Sequence, residues 1–125
     1  MRPTQPEFPE TLERVTQPLP LMQDCLDLGD DLRNVLVQGQ NLSGQTLARL
    51  SVRCAEFRDC RFSGVLWTRC DLVDVAFENC DLSNCDLSDG YLSRVRFTDC
   101  RAVGLRLTKS VGKDAGVQLH RPARV

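Results

Sequence analysis

The chain has 125 residues and a mass of 14.1 kDa, which leaves room for one domain. Sixteen Lys and Arg against 17 Asp and Glu give a formal charge of −1, which argues against general attraction to nucleic acid or to an anionic membrane. No apolar run approaches the length that spans a bilayer and no apolar leader follows Arg2, so a cytoplasmic protein with no membrane-embedded part is expected.

Residues 1–29 read as a proline-rich lead-in followed by an N-terminal cap. Five of the six prolines, Pro3, Pro6, Pro9, Pro18 and Pro20, fall in the first 20 residues. Proline removes a ladder donor, so this segment is expected to lie partly loose, with one helical turn from Glu10 to Val15 after Pro9. Leu21, Met22, Leu26 and Leu28 follow, and they are apolar enough to cover the open end of whatever comes next.

From Asp30 to Lys109 the chain is built on a period of five. Cys70 to Asp89 holds four copies of one unit, with Leu72, Phe77, Leu82 and Leu87 five apart and Cys70, Val75, Cys80 and Cys85 each two residues earlier. The large apolar column continues upstream through Trp67, Phe62, Phe57, Val52, Leu47, Leu42, Val37 and Leu32, and downstream through Leu92, Phe97, Ala102 and Leu107. Sixteen units fit without a slip. A period of five suits neither a helix at 3.6 nor a strand at 2, so the chain must turn once per unit. Short repeats that bury two positions per unit belong to solenoids, in which each turn covers the apolar face of its neighbour. Phe57, Phe77 and Phe97 recur at twenty, as do Cys60, Cys80 and Cys100, and Gly44, Gly64 and Gly104. Four units per coil give a square cross-section.

Cys70-Asp71-Leu72, Cys80-Asp81-Leu82 and Cys85-Asp86-Leu87, with Asn41-Leu42 as a partial copy, resemble the motif of the pentapeptide-repeat family. That motif is a small residue, then Asp or Asn, then Leu or Phe, then two variable residues. The resemblance covers roughly residues 30–109. It implies an all-β fold, a right-handed quadrilateral β-helix of about four coils with the Leu/Phe and small columns pointing inward. At a strand separation of about 4.8 Å, four coils stand roughly 19 Å tall.

Five of the seven cysteines, Cys60, Cys70, Cys80, Cys85 and Cys100, occupy the inward small position, where a thiol is a small apolar filler. Zinc-type spacing is absent, parallel stacked side chains suit a disulfide poorly, and no metal or cofactor is expected. Cys54 falls in an outward position and Cys25 in the cap, which leaves these two as the candidate reactive thiols. Trp67 and the Phe57, Phe77, Phe97 series read as internal packing.

The outward positions carry the candidate site. From Cys70 through Gly90 the charged residues are Asp71, Asp74, Glu78, Asp81, Asp86 and Asp89, a net of −6, while the coil before it carries +2 and the coil after it +4. Vertical neighbours twenty apart predict ladders Arg61–Asp81–Arg101 and Arg69–Asp89–Lys109, with Asp74 beside Arg94 and Asp86 beside Arg106. Residues 110–125 lose the frame and read as an irregular tail. Val117 and Leu119 folding back over the last coil, end-to-end dimerisation through that coil, and truncation of a longer parent are the three readings of this end.

No catalytic motif is present, and a rod with a filled interior offers no cleft, so an enzyme is not expected. The expected function is a non-catalytic module whose acidic belt meets a basic protein partner of unknown identity. The family resemblance implies a second possibility, because some members are dimeric rods whose acidic surface mimics duplex DNA and occupies the DNA site of gyrase. DNA carries about one charge per 1.7 Å of axis, whereas here the negative charge is confined to one coil. A purely structural solenoid is the third reading. Direct nucleic-acid binding would need a basic stripe with stacking aromatics, and Tyr91 is the lone outward aromatic.

Overall fold

A computed structural model describes residues 6–107 and 117–120. The elements in chain order are β1 (Glu13–Arg14), α1 (Pro18–Leu28), β2 (Leu32–Gln38), β3 (Ser51–Arg58), β4 (Asp71–Glu78), β5 (Tyr91–Thr98) and β6 (Val117–His120). All six strands form one parallel sheet in sequence order. Leu32, Val52, Leu72 and Leu92 pair in one row, and Val37, Phe57, Phe77 and Phe97 in another, so each coil takes twenty residues. The other walls are joined by single parallel bridges through Asn41, Arg61, Asp81 and Arg101, and through Thr46, Leu66, Asp86 and Arg106. This is a right-handed quadrilateral β-helix.

The turn made once per unit has a local cause. The residue two past each large inward side chain adopts a left-handed backbone, as at Asp74 (φ 58°), Asn79 (φ 52°), Asn84 (φ 58°) and Asp89 (φ 59°), which form the four corners of the third coil. Asp and Asn reach this region more cheaply than other side chains with a Cβ, and that is why they recur there. Two walls then close as tight turns, with the N–H of Cys85 donating to Leu82 O at 3.2 Å and that of Cys70 to Trp67 O at 3.1 Å.

The core fills the square. Leu47, Phe57, Phe62, Trp67, Leu72, Phe77 and Leu82 are fully buried. Phe57, Phe77 and Phe97 stack with centroids 5.2 and 5.1 Å apart, as the twenty-residue recurrence predicts. Trp67 meets Phe57, Phe62 and Phe77 edge-on at 5.4 to 6.3 Å, a favoured aromatic arrangement. Its indole N–H has no hydrogen-bond acceptor among the described residues.

The N-terminal end differs from the sequence expectation. The turn expected at Glu10 to Val15 is extended, and Glu13 and Arg14 pair with Val35 and Leu36 as an edge strand. The helix begins instead at Pro18, where prolines in the first turn cost no intrahelical bond, and it stops at Gly29 (φ 70°) with the Asp30 N–H on Cys25 O at 2.9 Å. It caps the first coil through Met22 and Cys25, with Leu26 packed partly against the core. Leu21 and Leu28 point away. At the other end, residues 117–120 form a strand on β5, with Val117 opposite Val95 and Leu119 opposite Phe97. That placement matches the fold-back reading of the tail; the rest of 110–125 lies outside the described residues. Each end strand joins at an offset of 22 residues rather than twenty, so both exposed edges of the sheet are covered by segments out of phase with the repeat.

Candidate protein-binding surface

The third coil carries the six acids to different walls and corners. Glu78 and Asp89 are exposed, Asp71, Asp81 and Asp86 are half-buried, and Asp74 is buried. The belt is therefore a ring around the rod, and a partner lying along one wall meets only part of it.

Local structure uses several of these carboxylates. Asp81 accepts the N–H of Ser83 at 3.0 Å and Asp86 that of Ser88 at 2.9 Å, each closing the turn that follows. Bonding to Ser83 is the main reason the Asp81 carboxyl sits below the usual carboxylate range, and Arg101 and Arg61 lower it further. Asp86 is lowered likewise by Ser88 and then by Arg106. The charge rows expected around Asp81 and Asp86 thus act alongside the serine contacts. Lys109, the last member of the Arg69–Asp89 row, lies outside the described residues.

Asp71 forms a two-pronged pair with Arg53 at 3.0 and 2.9 Å. The two are eighteen residues apart, on a diagonal that a strict twenty-residue ladder does not point to. Glu78 lies 3.9 Å from Arg58, which is held more closely by Glu56 at 2.7 Å. Asn79 donates to Asp59 at 2.7 Å along the corner row.

Asp74 stands apart from the rest of the ring. Its carboxylate takes two bonds from Arg94, at 2.5 and 3.0 Å, and a third from the backbone N–H of Glu7 at 3.0 Å. Burial by itself raises its pKa, but the Arg94 bonds, the Glu7 N–H and the charges of Arg94 and Arg53 together bring it below the ordinary carboxylate value. The pairing with Arg94 follows from the twenty-residue row. The contact with Glu7 does not, because the lead-in has no period to read. The lead-in places Glu7 on the outside of the rod, with Cys54 Sγ 3.6 Å from Glu7 O and Arg94 Nε 3.8 Å from the Glu7 carboxylate.

The thiols serve structure. Cys70, Cys80, Cys85 and Cys100 donate to the carbonyl oxygens of Leu47, Phe57, Phe62 and Phe77, each 23 residues earlier, at 2.7 to 3.4 Å. Cys60 does the same to Val37 at 3.5 Å. A thiol here is more than a filler, since it also takes up a carbonyl of the preceding coil. Burial pushes Cys70 and Cys85 up to about 12. Neither candidate reactive thiol is activated. Cys25 is raised by burial and then by Asp30, Asp24 and Asp31, and Cys54 by burial and then by Asp74. Among the described residues no group of three or more His, Cys, Asp or Glu is arranged to hold a metal ion.

Comparison with known proteins places this architecture. No curated protein matches the chain. Among solved structures it is similar to a trypsin-treated form of QnrB1, a plasmid-mediated fluoroquinolone resistance protein, with a TM-score of 0.36 and 13% identity over 71% of this chain and 67% of that one. Residues 53–89 and 70–108 match the family described as Pentapeptide repeats, in eight copies. With the unbroken five-residue frame and the four-sided coil built on it, the chain belongs to the pentapeptide-repeat family.

Proposed function

We propose that this protein is a non-catalytic interaction module that presents the charged walls of a rigid rod to a basic protein partner in the cytoplasm. The observation that carries the reading is the division of labour within each coil. The inward columns are consumed by packing, while Glu78 and Asp89 stay exposed on a coil bearing six acids and no Lys or Arg between Cys70 and Gly90. A rod whose backbone is bonded coil to coil loses little freedom on docking, so modest charge complementarity is enough for specific association. No helix among the described residues is long and apolar enough to cross a membrane.

Glu78→Gln and Asp89→Asn test this together, because both remove charge without removing a turn bond. The double variant is expected to keep its circular dichroism spectrum and to lose at least half of the cross-linked partner captured by the wild-type chain at about 0.1 M salt, where surface charges still act over about 10 Å. Undiminished capture contradicts the reading. A gyrase supercoiling assay on the same pair asks whether gyrase is that partner, with inhibition by the wild-type chain and none by the variant as the positive result.

A further inference from the structure

Glu7 is held at three points by one corner row of the helix. Its N–H donates to Asp74 Oδ1 at 3.0 Å, its carbonyl oxygen accepts from Cys54 Sγ at 3.6 Å, and its carboxylate lies 3.8 Å from Arg94 Nε. The three partners come from successive coils and stack at twenty-residue spacing, each with a left-handed backbone (φ 61°, 58° and 52°). Arg94 and Cys54 have no side-chain means of favouring that backbone, so the fold, and not their own preference, fixes the row. Asp74 is buried and already bound by Arg94, which orients the carboxylate toward a main-chain donor. One group thus reads a peptide N–H, one a peptide carbonyl and one an acidic side chain, which are the three recognition elements of an extended acidic residue.

We propose that the Cys54–Asp74–Arg94 corner is a binding site for an extended segment carrying an acidic side chain, and that Glu7 occupies it in cis, so that the lead-in and an outside acidic segment exclude each other. The Glu7 side chain is itself 64% exposed, so its ion pair is screened and weak, and the lead-in is displaceable. Tethering compensates, because a short linker supplies the occupant at an effective concentration of about millimolar. The proposal does not rest on the acidic-ring reading. The two tests use different residues, and failure of one leaves the other standing.

The probe is a blocked peptide of residues 5–10, titrated into the full-length chain and followed by the amide NMR signals of Cys54, Asp74 and Arg94. Glu7→Lys keeps the main-chain contacts of Glu7 but replaces its ion pair with repulsion from Arg94, which loosens the hold of the lead-in, so this variant is expected to bind the peptide about tenfold more tightly than the wild-type chain, whose own lead-in competes. A peptide with Gln in place of its first Glu is expected to bind the variant more weakly. Arg94→Ala added to Glu7→Lys is expected to abolish the shifts. Equal affinity for the wild-type and Glu7→Lys chains, indifference to the Gln-for-Glu change in the peptide, or no saturable shift in either chain overturns the proposal. The peptide change keeps the test decisive if the double variant does not fold.

Discussion

The thiol of Cys85 donates to the carbonyl oxygen of Phe62, one coil earlier, at 2.7 Å. The carbonyl of a residue whose side chain fills the core is thereby also engaged from below, which ties the small column to the large one across coils. Cys85→Ala is expected to lower stability by about 1–2 kcal/mol through loss of the bond and the sulfur's packing. Cys85→Ser, which keeps a donor, is expected to stay within about 1 kcal/mol of the wild type. Urea unfolding followed by circular dichroism separates the two.

Burial, together with the raised pKa of Cys54, Cys70 and Cys85, also predicts an order of alkylation. With iodoacetamide near neutral pH, Cys54 is expected to react first and slowly, because it is half-exposed but carries a thiol held protonated by burial and by Asp74. The buried Cys60, Cys70, Cys80, Cys85 and Cys100 are expected to react only after urea is added. Mass spectrometry of digests reads the order directly. Early labelling of Cys70 or Cys85 contradicts the packing described.

Trp67 stands in a column that holds Leu at positions 47 and 87, yet Leu is not expected to be tolerated there. Phe57, Phe62 and Phe77 are arranged edge-on around the indole, so Trp67→Leu leaves a void that these rings cannot close together. The expected loss is about 3 kcal/mol, seen as a shift of the urea midpoint by circular dichroism. A loss below about 1 kcal/mol means that the core repacks freely.

Asp74 sets part of the acid sensitivity. Its folded pKa is depressed, so its contribution is fully present above the unfolded value near 3.8 and disappears as pH falls through the folded pKa. Asp81 and Asp86 carry the same sign. The wild-type urea midpoint is therefore expected to hold from pH 7 to about 5 and to fall below about 4. Asp74→Asn is expected to cost about 1–3 kcal/mol at pH 7, since Arg94 loses its nearest carboxylate, and to flatten the fall at low pH. An unchanged slope in the variant places the acid transition elsewhere.

Two glycines separate conformational need from space. Gly64 has φ 70° with nothing within 4 Å of an added Cβ, and Asn84 takes the same corner one coil later. Gly64→Asn is expected to be nearly neutral. Gly90 is different, because a Cβ there meets Cys70 O at 2.7 Å, a backbone atom that cannot step aside. Gly90→Ala is expected to cost about 2 kcal/mol or more, although a small inward residue is what the column calls for. Thermal melts of the two variants check the contrast.

The coil length, the two inward columns, the Phe57–Phe77–Phe97 stack and the Asp74–Arg94 row were legible in the amino-acid order, because each follows from a spacing that repeats. A single period dictates which side chains face in and which residues lie twenty apart. What departs from the period was decided only by tertiary structure. The diagonal Arg53–Asp71 pair depends on side-chain reach past Ser51, the register partner of Asp71, and the thiol bonds at a step of 23 depend on where the closed coils set each carbonyl. The helix at Pro18–Leu28, the edge strands at an offset of 22, and the seat of Glu7 on Cys54, Asp74 and Arg94 belong to aperiodic segments. Such segments take their conformation from the surface on which they land. That surface exists only once the coils have closed.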